Sequence, residues 1–130
     1  MKMVPHDLED CGSVQMMELG PVNFDDTGVA TGVALGKVPA NTIITRAIAV
    51  VDTGFNGGTT NVLTIGFNDD VNNILGADDV TEETAAAYSK QVFIDCDAEK
   101  TVKAKYTQTG TAATAGSARV FLEVVRRPAN

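Results

Sequence analysis

Side-chain alternation in short runs, each closed within about a dozen residues by a turn signal, constrains this chain more than any other feature. Thr101 to Thr107 is the clearest run, with Val102, Ala104 and Tyr106 opposing Lys103 and Lys105. Ala118 to Arg126 sets Val120, Leu122 and Val124 against Arg119 and Glu123, with Arg127 following on the polar side. Gln91 to Cys96 places Val92, Ile94 and Cys96 on one face, and Leu63, Ile65 and Phe67 alternate against Val62, Thr64 and Gly66. A period of two describes a strand with one face buried; it cannot lay an apolar stripe along a helix. Two further strands are predicted: Ser13 to Leu19, stopped by Gly20-Pro21 because proline cannot extend a ladder, and Val29 to Val38, stopped by Pro39-Ala40-Asn41.

Thr42 to Asp52 is apolar on both sides. Strict alternation puts Ile44, Ile48 and Val50 on one face, interrupted by Arg46, and Ile43, Ala47, Ala49 and Val51 on the other. Such a strand is covered on both faces, or its outer face meets a partner. The loop Thr53 to Asn61, with Gly54, Gly57 and Gly58, then joins it to Val62–Phe67 as a predicted hairpin with a long connection. Asn68 to Ser89 departs from the pattern. Within it Asp78 to Tyr88 predicts a short helix, acidic in its first turn and alanine-rich after it, flanked by loop at Asn68-Asp69-Asp70 and Asn72-Asn73. Thr109 to Gly116 reads as a flexible tip of small residues. Seven or eight such strands indicate an all-β fold, a two-sheet β-sandwich with one short helix in a long connection. Residues 1–13 show no periodicity and read as an N-terminal arm; residues 14–130 read as a single β-sandwich domain.

Composition narrows function by exclusion. A formal net charge of −7 is repelled by phosphate backbones, and the basic residues of the C-terminal third are interleaved with Asp95, Asp97, Glu99 and Glu123, so no nucleic-acid partner is expected. The longest apolar run, Ala47 to Val51, is far too short to span a bilayer, and no membrane partner is expected. Cys11 and Cys96 fit no metal spacing; they could pair, but two lone thiols are more often simply buried. The one histidine, His6, lies in the arm, where nothing holds it beside a partner for catalysis or metal binding.

Other chemical readings are weaker than their plain alternatives. Asp69-Asp70 with Asn72-Asn73 has oxygen ligands but no twelve-residue calcium loop, and turns favour the same residues. Asp95 and Asp97 could serve as an acid/base pair, but a strand end leaving its sheet carries the same residues. Gly54 to Gly58 lacks the Lys-Ser/Thr ending and the following helix of a phosphate loop. No cofactor and no catalytic residue are expected, and the chain does not read as an enzyme. Met16 and Met17 point to opposite faces of one strand, one into the core and the other available for contact. Arg126 and Arg127 read as a solvated end able to dock on an acidic neighbour.

Two stretches, Val33-Ala34-Leu35-Gly36-Lys37-Val38-Pro39-Ala40-Asn41-Thr42-Ile43-Ile44 and Val50-Val51-Asp52-Thr53-Gly54-Phe55-Asn56-Gly57-Gly58-Thr59-Thr60-Asn61-Val62-Leu63-Thr64-Ile65-Gly66, resemble small virion proteins of tailed bacteriophages, of the head decoration or cement type. The resemblance covers roughly residues 33–95 and includes no catalytic signature. It implies a jelly-roll-like sandwich on the outer capsid surface of a virion, made in the host cytoplasm, binding the major capsid protein and itself as a dimer or trimer. The protein-interface candidates are then Met3, Val4 and His6 of the arm, Met16, Met17, Arg126 and Arg127. Two other roles fit the same pattern: a tail, tube or connector component of the virion, and a carbohydrate-binding sandwich. The absence of Trp and the presence of only Tyr88 and Tyr106 argue against a sugar platform.

Overall fold

The computed structural model describes residues 14–68 and 70–128. These residues form eight strands: β1 (Val14–Asn23), β2 (Val33–Val38), β3 (Thr42–Thr53), β4 (Thr60–Phe67), β5 (Asp70–Leu75), β6 (Ala87–Cys96), β7 (Lys100–Thr109) and β8 (Ser117–Arg126). They pair antiparallel into two four-stranded sheets, in the orders β1-β8-β3-β6 and β2-β7-β4-β5. Successive strands from β1 to β5 switch between sheets or turn back at an edge, which is the strand order of an eight-stranded jelly roll.

The runs that alternate in sequence meet between the sheets. From the first sheet come Ala118, Val120, Leu122 and Val124 of β8 and Ile44, Ala47, Ala49 and Val51 of β3, and from the second Leu63 and Ile65 of β4 and Val102, Ala104 and Tyr106 of β7. Fully burying side chains of this kind contributes about 1.5–3 kcal/mol each for the valines, leucines and isoleucines.

One residue sets the parity of the central strand. Ile44 pairs with Val124 and Arg46 with Glu123, so β3 advances two residues while β8 advances one, and Thr45 is the extra residue of a β-bulge. The Thr45 hydroxyl fixes the bulge by donating to both the main-chain oxygen and the Oε1 of Glu123, at 3.2 and 2.9 Å. Side chains beyond a bulge change faces relative to unbroken alternation. Ile44, Ala47, Ala49 and Val51 therefore point inward, and Ile43, Arg46, Ile48 and Val50 point outward. Strict alternation had assigned Ile44 to the same face as Ile48 and Val50.

The short helix expected at Asp78–Tyr88 is not there; no helix occurs among the described residues, and Ala87 and Tyr88 already belong to β6. The alanine-rich segment has no apolar helical face to bury, and a helix this short is marginal without one. Its groups are engaged elsewhere. Val80 and Glu82 are buried, the Glu82 carbonyl accepts from Phe55 N at 2.9 Å, and the Ala86 carbonyl accepts from Val51 N at 2.9 Å. The predicted hairpin of Thr42–Asp52 with Val62–Phe67 is also corrected, since β3 and β4 lie in different sheets and the glycine-rich loop crosses between them.

Three smaller differences have local causes. Asn72-Asn73, expected as loop, lies in strand β5, which folds so closely over Gly66 that any side chain there would meet the Asp70 and Val71 backbone. Strand β1 runs on past Pro21 to Asn23 through a register shift between Leu19 and Val22, a position that tolerates proline on this edge strand. The Thr109–Gly116 tip is fastened, because Asn56 Oδ1 accepts from Thr114 N and Ala115 N at 2.8 and 3.0 Å. Leu122 is fully buried on β8, between β1 and β3. Leu122→Ala is expected to lower unfolding free energy by about 2–5 kcal/mol, measured by urea denaturation; a loss below about 1 kcal/mol would contradict this placement of the core.

Candidate functional site

The loop-rich end and the two outer faces of the sandwich are three places for a site. At one end, the loops between β3 and β4, between β5 and β6, and between β7 and β8 lock together. Phe55 drops into the interior against Tyr106, with ring centroids 4.5 Å apart. Asn61 sits beneath it, its amide donating to the Gly57 carbonyl and to Glu83 Oε2 while its Oδ1 accepts from Gly57 N and the Tyr106 hydroxyl. Gly54 passes so near the Glu83 backbone that a β-carbon would collide with its carbonyl. The glycine-rich loop is thus a structural joint, with its polar atoms turned to its own chain.

Glu82 closes this joint. Its Oε2 accepts from Leu63 N at 3.2 Å, taking the place of a neighbouring strand where β5 no longer pairs with β4. Burial pushes its carboxyl above the usual glutamate range, the bond from Leu63 N pulls it down, and nearby Glu83 and Asp78 raise it. Burial likewise raises the Tyr106 hydroxyl and the thiol of buried Cys96, which has no disulfide partner among the described residues. In each of the three, burial disfavours the charged form.

The sequence-level chemical candidates resolve into structural roles. Asp95 and Asp97 both accept from the Arg127 guanidinium, the first at 2.9 Å, so an acid/base pair there is already an ion-paired strand end. Asp70 accepts from Asn72 N at 3.3 Å and Asn73 Oδ1 from Phe67 N at 3.0 Å, each satisfying local backbone. Among the described residues no group of three or more His, Cys, Asp or Glu side chains could hold a metal ion. Met3, Val4, His6, Cys11 and Asp69 lie outside the described residues.

On the outer face of the β2-β7-β4-β5 sheet there is an open groove of about 390 Å³ lined by Val62, Thr64, Asp70, Val71, Asn72, Lys105 and Thr107. Thr64 Oγ1 is buried there without a hydrogen-bond partner among the described residues. Lys105 and Asp70 bring opposite charges to it, which leaves no clear preference for an anion or a cation.

The outer face of the β1-β8-β3-β6 sheet is different. Val14 is 65% exposed, Met16 53% and Phe93 76%, and all three stand on this one face. Between them Ile43, Ile48 and Val50 of β3 and Phe121 and Val125 of β8 are half-buried. Arg119 lies over the Phe121 ring at 5.5 Å and is held by a two-pronged pair with Asp52 at 2.9 Å. That pairing pulls the Asp52 carboxyl below its usual range, mainly through the hydrogen bond from Arg119. Met16 and Met17 take the opposite sides expected of them, Met17 packing on the core. Arg126 is exposed at the end of β8, whereas Arg127 is bound within its own chain. Sequence reasoning missed Phe93 and Val14; the signal for Phe93 was its place between Val92 and Ile94, which alternation sends inward.

No protein-family model and no curated protein sequence matches the chain. Three solved structures contain chains of similar fold. The capsid asymmetric unit of cyanophage Pam1 matches with a TM-score of 0.70 and 18% identity over 91% of this chain and 87% of that one. The capsid of Ralstonia phage GP4 matches at 0.64 and 21% over 99% and 92%, and the acidic stable capsid structure of Helicobacter pylori bacteriophage KHP30 at 0.59 and 15% over 92% and 96%. At these identities the likeness is one of fold: this chain is a jelly roll shared with chains of phage capsids. High coverage in both directions means that the matching chains are close to it in length.

The buried Glu82 carboxyl yields a pH test. Its raised value means that the folded state prefers the neutral acid, so its stabilising contribution is complete below the ordinary glutamate value of 4.5 and is lost as pH rises through the folded value. Glu82→Gln keeps an acceptor for Leu63 N without the charge. Wild type is expected to lose melting temperature relative to Glu82→Gln as pH rises above 4.5; a difference independent of pH would contradict a desolvated carboxyl.

Proposed function

We propose that this chain is a capsid decoration or cement protein, one that binds the outer surface of a phage head and bridges neighbouring major capsid proteins to stabilise the shell. The observation that carries the reading is the whole-chain match to capsid chains of nearly the same length. A chain of 130 residues forming one two-layer sandwich adds a compact body to a shell and needs no chemistry to act as a clamp. The loop resemblance over roughly residues 33–95 points the same way, and the residues that resemble virion proteins build the joint between β3 and β4 rather than a reactive pocket.

Clamping is a matter of area and rigidity. A stable contact between proteins buries about 800 Å² of surface on each side, and the locked loop end holds the sandwich stiff while such a contact forms. The chain's acidity, with a net charge of −7, suits a site away from packaged nucleic acid.

Cryo-electron microscopy of particles carrying this chain tests the proposal. Density fitting the sandwich is expected on the outside of the head, touching two or more copies of the shell protein. Density confined to the tail or the connector would contradict it.

A further inference from the structure

We infer that the outer face of the β1-β8-β3-β6 sheet is the contact surface for a second copy of this chain. The inference stands on that face itself and holds whether or not the chain binds a phage head.

Three observations select this occupant. The first is the apolar surface: Val14, Met16 and Phe93, the exposed large hydrophobic side chains among the described residues, share one face and ring five half-buried apolar neighbours. Scattered apolar side chains on a surface are ordinary; a contiguous patch marks an interface. The second is size. Four strands about 4.8 Å apart, each presenting about eight residues at about 3.3 Å, give a footprint of roughly 500 Å² before side-chain relief is added, which approaches what a stable dimer needs. The third is charge. On this face Asp52 and Asp95 are already paired with Arg119 and Arg127, which leaves Glu18 and Glu123 with Arg46, so a second copy of this chain of net charge −7 meets a nearly balanced surface there.

The register makes the face complementary to itself. Side chains form rows across the strands: Val14, Val125, Ile43 and Asp95 in one; Met16, Glu123, Arg46 and Gln91 in the next, with Phe93 on β6 between these two rows at the level of the bulge; then Glu18, Phe121, Ile48 and Ser89. A two-fold axis running along the strand direction lays β1 over β6 and β8 over β3 of the second copy and keeps each row facing itself. Met16 then meets the second copy's Phe93, a sulfur–aromatic contact. Glu123 faces the second copy's Arg46, Val125 its Ile43, and Phe121 its Ile48. Within its own chain Arg46 donates to the Ser89 hydroxyl at 2.8 Å and has no carboxylate partner among the described residues, so this geometry supplies one.

Sedimentation equilibrium of the full chain at about 1–100 µM reads the result. A reversible monomer–dimer equilibrium is expected. Phe93→Asp is expected to weaken it at least thirtyfold, roughly the effect of removing a strong interface anchor. Arg46→Glu is expected to weaken it also while leaving the melting temperature of the dilute monomer unchanged, which a mere folding defect would not do. Three results would overturn the inference: a monomer throughout the range, a dimer indifferent to Phe93→Asp, or a dimer indifferent to Arg46→Glu. Because no head or shell protein is in the cell, failure here leaves the capsid reading standing, and failure of the capsid reading leaves this result unchanged.

Discussion

The hydrogen bonds from the Thr45 hydroxyl to Glu123 decide what this sandwich hides and what it shows. They hold an extra residue in the middle of β3, and every side chain after it changes sides relative to Ile44. Small residues, Ala47 and Ala49, are thereby turned into the gap between the sheets, where β8 already supplies Leu122 and Val120. Larger ones, Ile48 and Val50, are turned outward beside Phe121. The packed interior and the apolar exterior of the first sheet are two results of one backbone irregularity.

The opposite design rule holds at the loop end. There the chain crosses between sheets, and a crossing segment leaves main-chain groups that must be satisfied without a ladder. Asn61, Asn56 and Glu82 accept from those groups as side chains, and Phe55 fills the opening against Tyr106. The buried Glu82 carboxyl is the costly member of the set, because burial disfavours its charge while its oxygen holds the exposed edge of β4. Of the two outer sheet faces, the one built by β1, β8, β3 and β6 carries the exposed large apolar side chains of the described residues.

Much of this was legible in sequence where alternation ran unbroken. β7 and β8 have the inward and outward sets that their spacing assigns, and Met16 and Met17 divide as a strand requires. The apolar character of both faces of Thr42–Asp52 was also visible, and with it the choice between a covered strand and one meeting a partner. What could not be read was whatever depends on a residue far away in the chain. The bulge in β3 needs Glu123 opposite it, 78 positions on. The segment from Asp78 to Ala86 has the composition of a helix, yet Phe55 and Val51 recruit its carbonyls from another part of the fold. Phe93 escaped notice because it looked like the minor member of an otherwise inward-facing strand.

The account rests on the claim that the apolar outer face of the β1-β8-β3-β6 sheet is covered when the protein is in its working form. Hydroxyl-radical footprinting with mass spectrometry measures this at Met16 and Phe93 directly, since both side chains react readily with the radical when open to water. Their oxidation is expected to be slow in the concentrated protein and to rise on dilution, while buried Phe55 stays slow throughout. Oxidation of Met16 and Phe93 that is fast and equal at every concentration would contradict the claim.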